Sequence, residues 1–436
     1  MRMLGYSLGL AAMAVAAAPA SFAGEFVTVS GRQFVLDGRP WYACGANLWY
    51  GANLGRPSNP LGRARLVREL DRLQKLGINQ LRVLGASEQC AVPRTLRPAI
   101  TLSPGVYDED MLQGLDFLIG ESGKRRLRLV IFLNNYWDWS GGMPQYLAWA
   151  TGRPARGLGS LPWREWNRVQ ATFYTNKAGQ EMARRYMAML VDRTNTLTGL
   201  KYRDDPAIMA WELANEPRPG EGDDNKAVFM EFLRWVESVS AYLHSLDSHH
   251  LVTTGSEGLR GCLESVDYFR QVHAVKTIDY AVIHVWPNNW GWFKRDRFQE
   301  TIGATLENAR AYILPHIAVT DSLNKPLVIE EFGLDRDGGL ATDKGVGSRD
   351  RFYSEVFRLI ENSAASGGSA AGSDFWLWGG EGRPSSPGAG PPADGIGAGD
   401  MLQEPSGLNT VFDCDQSTLA IVARHYSNLQ ALGRGR

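Results

Sequence analysis

Two short acidic stretches hold the residue types that can do chemistry. One reads Trp211-Glu212-Leu213-Ala214-Asn215-Glu216-Pro217, the other Lys325-Pro326-Leu327-Val328-Ile329-Glu330-Glu331-Phe332-Gly333. In each, an apolar run with the character of a buried strand ends on a carboxylate. A buried, unpaired carboxylate is costly or is forced to take up a proton. Two strands that both end this way suggest acids placed at one rim of a sheet. Paired carboxylates flanking a sugar are the apparatus of glycoside hydrolysis. A separation of ~5–5.5 Å gives retention; ~6.5–9.5 Å admits an attacking water and gives inversion.

Alternation along a strand puts Glu212, Ala214 and Glu216 on one face, with only Glu216 at the C-terminal end. Pro217 predicts an extended Glu216, since the residue before proline avoids the helical region. Asn215 then points the opposite way unless the strand end is bulged. Glu212 reads as a satisfied core acid paired with Arg82; Glu216 alone could be a cap or an ion-pair partner. The same alternation allows only one of Glu330 and Glu331 to face the interior, and the pattern does not choose between them. The other should pair with a cation outside the sheet or at its rim.

Three further residues interrupt apolar runs. Arg82, in Asn79-Gln80-Leu81-Arg82-Val83-Leu84, is a charge inside a strand. Long cations are rarely buried unpaired, and the guanidinium fork fits a carboxylate. His284, in Val282-Ile283-His284-Val285-Trp286, is either a satisfied core residue or a neighbour of the acids. Trp376, in Phe375-Trp376-Leu377-Trp378, is either core or an apolar floor under a sugar ring. No second histidine stands at metal-ligand spacing, so no metal site is expected. His249-His250 reads as a surface pair at a helix end.

Eight strand-like runs alternate with amphipathic helical stretches. The strands fall at 41–49, 78–84, 128–134, 208–216, 251–256, 280–286, 327–332 and 373–378. The helices fall at 63–76, 108–121, 178–197, 227–246, 263–272, 305–319, 351–363 and 417–432. Strand–helix alternation implies parallel crossovers. Eight units predict an α/β fold with a single (β/α)8 TIM barrel. An open doubly wound sheet is the competing arrangement, but no G-x-G-x-x-G or P-loop follows a strand. Long loops follow the third, sixth and eighth strands, at 135–176, 287–297 and 379–416. Loops after barrel strands build the catalytic face. Trp137, Trp139, Trp286 and Trp290 are the candidate sugar-stacking surfaces there.

A formal charge of −1 over 436 residues, with no basic stripe, argues against nucleic acid as a partner. Met1 to Ala23 has the form of a secretory signal: Arg2, an apolar run from Leu8 to Ala18, and Ser21-Phe22-Ala23 at the cleavage point. The run is too short for a membrane span, which needs about 20 apolar residues. The expectation is a secreted protein, extracellular or periplasmic, with residues 24–436 as one catalytic domain. Export permits disulfides among Cys44, Cys90, Cys262 and Cys414, although Cys44 equally suits a buried free thiol.

Taken together, these residues resemble glycoside hydrolase family 5, and within it the β-mannanase subfamily, over nearly the whole mature chain. The resemblance rests on Trp211 to Pro217, Glu331-Phe332-Gly333, Arg82, His284 and Phe375-Trp376, in that family's order. It implies a retaining hydrolase of β-1,4-mannosidic bonds that needs no cofactor and takes mannan or manno-oligosaccharides. Glu216 matches the acid/base, and Glu331 the nucleophile. Asn215 would bind the sugar 2-hydroxyl, Arg82 would orient the nucleophile, and Trp376 would floor the site, followed by a cis peptide to Leu377. Many members carry a tyrosine where this chain has Trp286. The alternatives carried forward are an exo-β-mannosidase, a β-1,4-glucan hydrolase of the same fold, and a non-catalytic sugar-binding barrel.

Overall fold

The computed structural model describes residues 25–221, 226–386, 397 and 399–434. The expected signal segment, Met1 to Ala23, lies outside the described residues. Eight strands form the central sheet: β1 Ala43–Asn47, β2 Gln80–Leu84, β3 Arg128–Phe132, β4 Ile208–Glu212, β5 Leu251–Thr253, β6 Ala281–Val285, β7 Leu327–Phe332 and β8 Ala370–Phe375. The order is β5-β4-β3-β2-β1-β8-β7-β6, and every pairing is parallel. β5 and β6 face each other across the remaining gap. Asp279 N donates to Val252 O at 2.9 Å, and Val252 N donates to Asp279 Oδ2 at 2.7 Å. The sheet is thus a nearly closed barrel, the (β/α)8 fold expected from the alternation.

Each strand is buried along its whole length, which is why the strands read as continuous apolar runs. The outer helices are α1 Pro60–Lys75, α2 Glu109–Lys124, α3 Lys177–Val191, α4 Lys226–Leu246, α5 Val266–Ala274, α6 Phe298–Leu323, α7 Gly347–Ala365 and α8 Gln416–Arg434. Four have side-chain N-caps that fix where they start. Asn59 accepts from Gly62 N, Asp108 from Met111 N, Asn176 from Gly179 N and Ser265 from Tyr268 N. Leu66, Leu70 and Leu73 form the buried stripe that seats α1 on the barrel.

A small antiparallel sheet precedes the barrel, with strands Thr28–Ser30, Gln33–Leu36 and Arg39–Trp41. Its short polar-apolar alternation gives no barrel signal. Val27 and Phe34 pack with Ala43, Val130, Met209, Tyr280, Val282 and Val328. That cluster lies toward the N-terminal ends of the strands and leaves the opposite rim to the long loops.

Several expectations are corrected. β4 ends at Glu212, and Glu216 is not extended: its φ is 50°, in the left-handed region. Two neighbours pull the chain apart there. Asn215 N donates to Asn134 O, after β3, while Glu216 N donates to Gly255 O, after β5, each at 2.9 Å. Pro217 bars the right-handed helical region but leaves this one open. Glu330 lies inside the barrel rather than outside it. The β6–β7 register slips between Ile283, opposite Ile329, and His284, opposite Glu331. Glu330 is the extra residue of a bulge, which breaks strict alternation and turns both glutamates inward. His250 is buried, not on the surface, with Nδ1 2.6 Å from Asp247 Oδ2. All four cysteines are free.

Candidate active site

Arg82 organises the barrel interior below the rim. It has no exposed surface, and its guanidinium lies 4.7 Å from the Phe132 ring centroid. Nε and Nη2 donate to the two oxygens of Glu212 at 2.8 and 2.6 Å. Nη2 also donates to Asn215 Oδ1 at 2.8 Å, and Nη1 donates to Asn47 Oδ1 at 3.1 Å and to Glu331 Oε1. Glu330 Oε2 lies 3.7 Å from Nε. One cation therefore holds two carboxylates directly and faces a third. Both Glu330 oxygens lack a hydrogen-bond partner among the described residues, as does Oδ1 of buried Asp374. Burial pushes both of these carboxyls well above the ordinary range, with the charge of Glu212 adding to it.

Glu216 and Glu331 stand above this layer. His284 Nδ1 lies 2.7 Å from Glu216 Oε1 and 3.3 Å from Glu331 Oε2. One ligand atom each from Glu216, His284 and Glu331 all lie within 4.8 Å of one another. Three donors so close could hold a metal ion; the same closeness lets two acids share one proton. Trp137 Nε1 donates to Glu216 Oε2 at 2.5 Å, and Trp286 Nε1 to Glu216 Oε1 at 3.2 Å. Trp286 thus serves the first acid, where the sequence left its partner open.

Both acids are raised, Glu331 well above its ordinary value. Burial raises the Glu216 carboxyl, opposed by the charge of Arg218 and by the two indole donors. Burial also raises Glu331, opposed by direct contact with Arg82. Burial and the charge of Arg82 lower His284 to about 3, so its ring is neutral at neutral pH.

A cavity of about 970 Å³ opens over these acids. Asn215, Trp137, Trp139, Trp286, Trp290 and Trp376 all line it, as the sequence suggested. Arg82 and His284 do not; they sit beneath the floor and touch the acids, so neither is placed to bind substrate directly. The Trp376–Leu377 peptide is cis. Trp376 packs edge-on against Trp286, with centroids 5.8 Å apart.

Arg218, Glu257 and Glu404 also line the cavity, without a pattern in the sequence to mark them. Arg218 pairs with Glu257 and lies 5.0 Å from the Trp137 ring centroid. Glu257 is raised to about 7, first by burial. Glu404 is raised to about 8 by burial and by Asp400, Asp335 and Glu216. Adjacency to Glu216-Pro217 was the one available signal for Arg218; Glu257 and Glu404 carry none, being single acids in irregular loops. The loop after β8 is also braced across the rim. Gln403 Nε2 donates to Asp138 Oδ1 at 2.9 Å, Arg94 Nε to Leu402 O at 2.8 Å, and Trp49 Nε1 to Gly399 O at 2.7 Å.

A (β/α)8 barrel with two buried glutamates under an aromatic-lined cavity defines the class of barrel glycosidases. Residues 24–434 match the family model described as GH family 5 β-mannosidase-like, and the chain belongs to that family. It is similar to the mannan endo-1,4-β-mannosidase 1 of Arabidopsis thaliana, at 31% identity over 80% of this chain and 81% of that protein. The protein of the same name from Solanum lycopersicum is 32% identical, covering 80% and 83%. Among solved structures, the family 5 mannosidase from Rhizomucor miehei superposes with a TM-score of 0.86 at 30% identity, covering 96% of this chain and all of that one. A variant of that enzyme has been solved in complex with mannosyl-fructose. The chain is accordingly a glycosidase of the mannan-degrading branch of this family.

Proposed function

We propose that the chain hydrolyses β-1,4-mannosidic bonds with retention, by double displacement at Glu216 and Glu331. The observation that carries this reading is the distance between the two acids. An oxygen of each lies within 4.8 Å of the other. Such close oxygens support the retaining arrangement, with carboxyl groups ~5–5.5 Å apart, over the wider inverting one that leaves room for a water. Glu331, oriented by its contact with Arg82, attacks the anomeric carbon as the carboxylate. Glu216, raised by burial, gives its proton to the leaving oxygen. In the second half, Glu216 accepts a proton from water, which displaces the sugar from Glu331. Neutral His284 spans both acids and holds their oxygens in register. Asn215, oriented by Arg82, is the ligand for the sugar 2-hydroxyl, and Trp376 is the floor beneath the ring.

The first reading of the cleavage pattern is internal cutting of mannan, which the names of the plant relatives support. A second reading is release from the chain end. The Gln403–Asp138 brace favours it, because it ties the loops after β8 and β3 together on one side of the cavity. Residues 1–23 support export of the chain, with cleavage near Ala23.

The test is Glu216→Ala assayed on an activated aryl β-mannoside with and without azide. The proposal expects slow turnover that azide accelerates, giving the β-mannosyl azide. A variant that hydrolyses mannan as fast as wild type shows that Glu216 is not the acid. A wild-type protein inert on both substrates ends the enzymatic reading.

A further inference from the structure

Trp163 is the first residue of a helix, Trp163–Ala171, carried in the long loop after β3. It lines the same cavity, yet 41% of its surface is exposed. Its indole is one of three in near-parallel array. The plane of Trp163 is 19° from that of Trp137 and 12° from that of Trp166, with centroids 5.9 and 6.3 Å away. The Arg218 guanidinium lies 5.9 Å from the Trp163 centroid. The other two indoles are committed: Trp166 is fully buried and donates to Arg156 O, and Trp137 donates to Glu216. Trp163 alone presents a wide apolar surface to solvent at the rim.

The position of this surface follows from the two oxygens of Glu216. Oε1 faces His284 and Trp286, the side nearest Glu331; Oε2 faces Trp137. The stack that continues through Trp137 to Trp163 therefore lies beyond the acid, away from the nucleophile. If Glu216 is the acid, the sugar it protonates leaves on that side. A pyranose ring has one face of C–H bonds, and a fixed indole plane receives it at little ordering cost, because its neighbours already hold it. We infer that Trp163 is a stacking platform for a sugar ring on the leaving-group side, beyond the bond that is cut, and that it makes the enzyme favour longer chains. This rests on the reading of Glu216 as the acid.

The experiment compares wild type, Trp163→Ala and Trp163→Phe on mannotetraose and on a glycosyl fluoride, which places no sugar on the leaving side. The fluoride is whichever of β-mannosyl and β-mannobiosyl fluoride the wild type turns over. The expected result is that the ratio of kcat/KM for tetraose over fluoride falls about tenfold in the alanine variant, equivalent to ~1.4 kcal/mol. The loss should sit in KM, and phenylalanine should recover most of it. A fall in the ratio carried by kcat rather than KM would mean that Trp163 only props Trp137 against Glu216, because fluoride leaves with little help from the acid, and an unchanged ratio would mean that no sugar rests there; either overturns the inference. Wild type inert on all substrates overturns instead the functional reading beneath it.

Discussion

The indole nitrogen of Trp137 lies 2.5 Å from Oε2 of Glu216. A donor at that position stabilises the charged carboxylate and so opposes the rise that burial causes. Trp137→Phe removes the donor and keeps most of the ring. The Glu216 pKa should then rise, and the alkaline limb of kcat/KM, which reports loss of the acid's proton, should move to higher pH. The rate at the optimum should fall about tenfold, as for loss of one hydrogen bond to a charged group. A pH–rate profile checks both.

Arg82→Lys tests the single cation beneath the acids. A lysine cannot reproduce two contacts to Glu212 together with those to Asn47, Asn215 and Glu331. Activity should fall by at least about a hundredfold, and stability by roughly 3–5 kcal/mol, the usual result of breaking a buried pair. Denaturant unfolding with parallel kinetics checks it.

Glu330→Gln should behave in the opposite way. The Glu330 carboxyl is raised well above its ordinary value, chiefly by burial. A group with a raised folded pKa contributes stability that is full below its unfolded pKa, ~4.3, and is lost as pH climbs toward the folded value. Glutamine carries no such titration. The thermal midpoint of the variant should therefore gain on wild type as pH rises above about 4.3, with kcat within about threefold. Melting curves across pH separate this from an ionised Glu330, for which the variant would lose an Arg82 contact and destabilise.

How much of this was legible beforehand depends on the residue. The strands were readable because both faces of each are buried, which leaves uninterrupted apolar runs. Arg82 and the two acidic stretches stood out because a charge inside such a run demands a partner. The positions of Glu216 and Glu330 were not readable. Each depends on a hydrogen bond or a register slip set by a neighbouring strand far away in sequence: Pro217 alone suggests an extended Glu216, and strict alternation sends one of Glu330 and Glu331 outward. Glu257 and Glu404 were invisible for a related reason: irregular loops have no period, so only the folded chain brings their side chains to the cavity.

The brace across the rim gives a further prediction. Gln403→Ala removes the contact with Asp138. If the brace limits the length of the cleft, the variant should release a larger share of mannobiose and mannotriose from mannohexaose at early times. Chromatography of the products decides, and an unchanged distribution means that the brace does not limit the cleft.

The most direct test of the double displacement is to trap its intermediate. A 2-deoxy-2-fluoro-β-mannoside with an activated leaving group should inactivate the enzyme, and peptide mass spectrometry should find the sugar on Glu331. No adduct under turnover conditions, or an adduct on the adjacent Glu330, would contradict the account.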